Sequence, residues 1–228
     1  LAGNHDEKVT EGLDGLRARL DEYYKLGARF SKWRAVITIG DRIPSWACIE
    51  ANAHALARYA KLSQEAGIVP IVEPEVLMDG THTIERSYEV TELAQRITFQ
   101  HLRSQGVLME GMILKPSMVI SGASADNRAD VETVARETVR CLLNTVPASV
   151  PGIAFLSGGQ SDEEASAHLN AMHNLGTELP WGLTFSYGRA LQHASMTAWA
   201  GNSANVAEAQ KVLLGRARSN GKAALGQY

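Results

Sequence analysis

Short apolar runs alternate along the chain with longer segments in which apolar residues recur every three or four positions. The runs are 28–36 (ARFSKWRAV), 68–74 (IVPIVEP), 111–116 (GMILKP), 152–157 (GIAFLS) and 181–186 (WGLTFS). Their brevity and apolar content predict strands. Between them, residues 45–65 set Trp46, Ile49, Ala53, Leu56 and Tyr59 at helical spacing behind Ser45, a candidate N-cap. Residues 83–104 repeat the pattern with Ile84, Tyr88, Leu93, Ile97 and Leu102. Further helices are expected at 130–145 behind Asp130, 161–175 behind Ser161 and 203–219 behind Ser203, and a short one through Trp199. One more, about 12–26, precedes the first run. Strands joined by crossover helices become parallel neighbours in one sheet. Runs this apolar are expected to be covered on both faces. No low-complexity linker interrupts residues 1–228, so a single domain is expected.

Five βα units leave two α/β architectures open. A closed parallel barrel needs eight strands. An open doubly wound sheet could stop at five, but its Gly-rich first turn is missing here. The strand ends favour the barrel, because polar residues gather where barrel active sites lie. Alternation in the first run puts Lys32 and Arg34 on one face, with Trp33 and Ala35 on the other. Glu73 and Glu75 share a face across Pro74, and Lys115 ends an apolar strand before Pro116. A free lysine titrates near 10.4 and attacks carbonyls only when neutral. Burial and neighbouring cations favour the neutral amine, which is how a Schiff-base lysine is prepared. Lys115 is therefore the candidate nucleophile, Lys32 a poorer one beside Arg34. Glu73 or Glu75 can move the protons that carbinolamine formation and dehydration require.

The fourth and fifth strand ends differ. Ser157, Gly158 and Gly159 open SGGQS, and Ser186, Gly188 and Arg189 lie within SYGR. Glycines expose amides, helix starts favour anions, and Arg189 adds a fork of donors. Barrels often bind phosphate at the loops after strands 7 and 8. On that reading the five visible strands are strands 4 to 8, and three further βα units are expected ahead of Leu1.

Charge and composition exclude other classes. Twenty-two Lys and Arg face 25 Asp and Glu, a formal charge of −3 that lacks the footprint of a nucleic-acid binder. No stretch reaches the ~18 apolar residues of a membrane span. Cys48 and Cys141 lack metal or redox spacing and are expected to be buried thiols in a reducing compartment. His82, His101, His168, His173 and His193 fall on helices or their flanks without ligand spacing, so no metal is expected. Met109, Met112, Met118, Met172 and Met196 are expected in the core. Arg136-Glu137 and Asp162-Glu163-Glu164 are expected to be solvated helix charges, the acidic run at a helix N-terminus.

Several stretches, FSKWR (30–34), LARYA (56–60), GIVPIVEPEVL (67–77), LKPSMV (114–119), FLSGGQSDEEAS (155–166) and LTFSYGRALQ (183–192), resemble class I fructose-bisphosphate aldolases, and the likeness runs nearly end to end. The resemblance implies a (β/α)8 barrel, a metal-free Schiff-base lyase without cofactor, a phosphorylated ketose as substrate, and a cytoplasmic homotetramer acting in glycolysis. It implies Lys115 as the imine lysine, Glu73 as its proton-transfer residue with Glu75 as companion, and Lys32 and Arg34 on substrate. The phosphate seat would comprise Ser157, Gly158, Gly159, Ser186, Gly188 and Arg189. Two departures are expected to matter: upstream strands that bring an essential aspartate and basic residues, and a C-terminal tail ending in tyrosine. A transaldolase-like lyase for another phosphosugar and a non-catalytic scaffold remain as alternatives.

Overall fold

A computed structural model describes residues 1–4 and 6–228. The first helix, α1 (Leu16–Lys25), starts at Leu16 because Gly15 before it takes a left-handed turn at φ 67°. Then come β1 (Phe30–Ile37), α2 (Trp46–Glu65), β2 (Val69–Val76), α3 (Ile84–Ser104), β3 (Ile113–Leu114) and α4 (Val131–Thr145). The chain continues through β4 (Gly152–Phe155), α5 (Asp162–His173), β5 (Gly182–Phe185), α6 (Arg189–Trp199) and α7 (Val206–Ala223). Short 3-10 turns cover Met109–Gly111 and Ser203–Asn205. Three helices begin behind the expected polar caps, whereas α7 starts at Val206, after a 3-10 turn at Ser203 and without a side-chain cap. Ser45 accepts from Cys48 N, Asp130 from Thr133 N, and Ser161 forms a reciprocal box with Glu164.

The five strands form one parallel sheet in sequence order, β1-β2-β3-β4-β5. Right-handed crossovers in that order stack the helices on a single face, and α1 to α6 pack each on the next. Helices therefore cover one face only, although residues on both faces of β2 and β4 are buried. Trp33 and Ala35 point into the core with Val72, where Trp33 stacks on Tyr59 of α2 at 5.4 Å. Alternate residues point the other way: Lys32 and Arg34 on β1, Glu73 and Glu75 on β2. A doubly wound sheet would have helices there.

Four of the five named methionines lie in the core as expected, but Met196 is 60% exposed, with Trp199 beside it in a shallow apolar cleft between α6 and α7. α6 buries only Ala190. Cys48 and Cys141 are free thiols and buried, and burial pushes them up to about 11 and about 12. Among the described residues no helix is long and apolar enough to cross a membrane.

Candidate active site

The parallel register sets the charged cluster. Lys32 lies opposite Ile71 and Arg34 opposite Glu73, yet each cation pairs with the carboxylate two residues further on. Lys32 Nζ is 3.2 Å from Glu73 Oε2, and Arg34 Nε donates to Glu75 Oε2. On the next strand Lys115 follows β3, its backbone amide donating to the Val72 carbonyl at 2.8 Å. That bond places Lys115 Nζ 3.2 Å from Glu73 Oε1. One carboxylate thus bridges two ammonium groups through its two oxygens.

Exposure separates the lysines. The Glu73 side chain is 4% exposed and Lys115 14%, whereas Lys32 is 43% exposed. A buried carboxylate without partners costs several kcal/mol, so Glu73 needs a cation beside it, and two are present. Lys115, sheltered and one proton hop from Glu73, has the geometry of a nucleophile. Lys32 is the more open of the two, its ammonium facing solvent beside Glu73. The Lys115 loop is fixed on two sides: Ser117 Oγ accepts from Val76 N at 3.2 Å, and the Pro116 carbonyl accepts from Leu156 N at 3.1 Å.

That second bond leads into SGGQS. Ser157 is buried, and Gly158 and Gly159 take φ values of 59° and 103°. These left-handed values admit glycine freely and strain other residues. A Cβ at Gly159 would lie 3.6 Å from Arg189 Nη2, so the two Gly-rich strand ends meet. Gly159 and Arg189 line a cleft of about 490 Å³.

The two neighbouring helix starts differ. α5 is closed by its capping box and carries Asp162, Glu163 and Glu164 in its first turn. α6 has neither a side-chain cap nor an acidic residue there. Its open amides are the ones available to an anion.

Lys115 and the six Gly-rich candidates follow the carboxyl ends of β3, β4 and β5, whereas Lys32, Arg34, Glu73 and Glu75 lie within β1 and β2, so the eleven candidates form two groups: the charged cluster and the Gly-rich strand ends. Sequence reasoning gave no role to Gln160, whose Oε1 lies 2.6 Å from His168 Nδ1 and whose amide donates to Met118 Sδ at 3.6 Å. Burial pushes His168 down to about 4. Nor did it single out Arg216, which reaches residues 26 and 54 positions away, or buried Glu7, which accepts from Ser45 N and Oγ at the start of α2. Such distant partners leave no local signal; Gln160 and His168, eight residues apart, are the nearer pair. Among the described residues no three His, Cys, Asp or Glu side chains are grouped to hold a metal.

The family model described as Fructose-bisphosphate aldolase class-I matches residues 1–228. The chain belongs to this family. Its aldolases are metal-independent lyases. A protein named "Probable fructose-bisphosphate aldolase class 1" from Xanthomonas axonopodis is 63% identical over all of this chain and 68% of its own length. Fructose-bisphosphate aldolase 4, cytosolic, from Arabidopsis thaliana is 51% identical over all of this chain and 58% of its own. The crystal structure of the Plasmodium falciparum aldolase, in complex with TRAP and a small-molecule inhibitor, superposes with a TM-score of 0.97 at 48% identity. It matches all of this chain and 66% of its own. The chain therefore spans roughly two thirds of these aldolases, and its sheet corresponds to five consecutive βα units of the family's barrel.

Proposed function

We propose that this chain carries the imine-forming machinery and ketone-side phosphate seat of an enzyme that reversibly cleaves fructose 1,6-bisphosphate to dihydroxyacetone phosphate and glyceraldehyde 3-phosphate. The observation that carries this reading is the buried Glu73 carboxylate held 3.2 Å from both Lys115 Nζ and Lys32 Nζ. Lys115 donates its ammonium proton to Glu73 and attacks the C2 carbonyl as a free amine. Glu73 returns the proton to the carbinolamine hydroxyl, which leaves as water. Glu73, ionised again, takes the C4 hydroxyl proton while the iminium draws in the electron pair of the breaking C3–C4 bond, so that the aldehyde departs and an enamine remains on Lys115. Protonation at C3 and hydrolysis then free Lys115. Lys32 and Arg34 hold substrate hydroxyls, and Arg34 and Glu75 fix one another. Ser157, Gly158, Gly159, Ser186, Gly188 and Arg189 seat the phosphate nearest the imine, so the ketone stops over Lys115.

Family kinship supports single-domain organisation of residues 1–228, a homotetramer, and a cytoplasmic site of action, since relatives such as the Arabidopsis protein are named cytosolic. The deciding experiment is borohydride reduction of the full-length protein with dihydroxyacetone phosphate, followed by peptide mass analysis. A stable adduct on Lys115 is expected. An adduct on another lysine, or none, would refute the assignment. Turnover of the 1,6-bisphosphate against the 1-phosphate then settles the substrate.

A further inference from the structure

The cleft beside Gly159 and Arg189 also takes in Asp162 and Glu163, in the first turn of α5. Two carboxylates on the rim of a phosphate seat oppose its occupant, because like charges at close range in a half-dry cleft repel strongly. Glu164 is answered nearby by its capping box and by Arg128 Nη1 at 3.1 Å. Asp162 and Glu163 are met from behind. Arg216 reaches over from α7 with its side chain 12% exposed. Its guanidinium lies 3.6 Å from Asp162 Oδ2 and 4.0 Å from Glu163 Oε1. It donates to the Asp162 carbonyl, to Ser166 Oγ at 2.8 Å and to the Ala190 carbonyl at 3.4 Å. Ala190 is the second residue of α6, so one guanidinium touches the starts of both helices beside the cleft.

We propose that Arg216 is a positioning and specificity-determining residue for the phosphorylated substrate. It offsets one of the two negative charges of Asp162 and Glu163 and ties the start of α6, with Arg189, to the start of α5. Without it the cleft presents two uncompensated negative charges to a dianion. With it, the net charge at the rim falls and Arg189 keeps its place over Gly159. This role rests on reading the cleft as the phosphate seat.

The test compares full-length wild type with Arg216→Met for the bisphosphate, for a ketose without phosphate, and for inorganic phosphate as competitive inhibitor. Arg216→Met should raise KM for the bisphosphate by roughly tenfold, about 1.4 kcal/mol, with kcat nearly unchanged. KM for the unphosphorylated ketose should barely move. Adding Asp162→Asn and Glu163→Gln to Arg216→Met should restore most of the lost phosphate affinity, a rescue that a purely structural arginine would not give. Lys211→Met, which removes the same charge from an exposed position on α7, should leave KM unchanged. If Arg216→Met fails to fold, Asp162→Asn/Glu163→Gln on native Arg216 carries the test and should tighten phosphate inhibition severalfold. An unchanged KM in Arg216→Met, a loss the added substitutions do not repair, or no tightening in the fallback variant overturns the proposal. A wild type indifferent to phosphate would instead overturn the seat itself.

Discussion

Glu73 is shared by two lysines, and substitutions at Glu73 and at Lys115 predict different losses. Lys115→Met keeps the length and apolar stem of the side chain while removing the amine, and Lys32 remains to hold Glu73. It should abolish borohydride trapping with circular dichroism unchanged; trapping that survives on another lysine would disprove Lys115 as the nucleophile. Glu73→Gln leaves the amine but removes the proton carrier. Single-turnover imine formation should slow by roughly 10² to 10⁴, read by quenched-flow trapping, and an unaltered rate would move the role to Glu75. Arg189→Ala should raise KM for the bisphosphate far more than for an unphosphorylated ketose, since a charged hydrogen bond contributes about 1.5–3 kcal/mol; equal effects on the two would show that Arg189 does not hold phosphate. The residue types were legible because period-2 alternation alone puts Lys32 with Arg34 and Glu73 with Glu75. The bridge was not, since it depends on a register that pairs each cation with the carboxylate two residues beyond its neighbour.

Among the elements, α5 ties the seat to the core through its hidden imidazole. His168 lies within hydrogen-bond distance of Gln160 and is held neutral by burial, its value lowered from the usual 6.5 to about 4. The unfolded chain therefore binds a proton there between about pH 6.5 and 4 that the native state does not. Stability is full above that window and is lost as pH falls through it, by about 1.36 kcal/mol per unit at most. His168→Asn, whose amide replaces the Nδ1 donor, should flatten the fall of melting temperature across this range. Because burial lowers His82 in the same direction, the flattening should be partial. A variant as acid-labile as wild type would place the proton uptake elsewhere. Helix starts were readable from Ser45, Asp130 and Ser161 because caps are local chemistry. Met196 was misplaced because helical spacing does not say which neighbour arrives, and α7 leaves that end of α6 open.

For the whole molecule, strand order matters more than strand content. Among the described residues β1 and β5 each pair on one side only, and Phe30 at one edge is 67% exposed. Unpaired strand edges invite association. A polypeptide restricted to residues 1–228 should therefore elute as heterogeneous oligomers with negligible cleavage, while one of the relatives' length should run as a discrete species. A monodisperse, active 228-residue protein would mean that the sheet needs nothing further. The parallel α/β order was legible from alternating run and helix, whereas the one-sided helical layer emerged only once every strand paired with its successor. That sequential order has a consequence for how the chain is made. Register partners are 30 to 42 residues apart, from Gly152 with Gly182 to Ile71 with Ile113. Each strand leaving the ribosome thus finds its template already laid down by the one before it. Among the described strands the sheet can grow by addition at a single moving edge as synthesis proceeds, each strand finding its predecessor already translated.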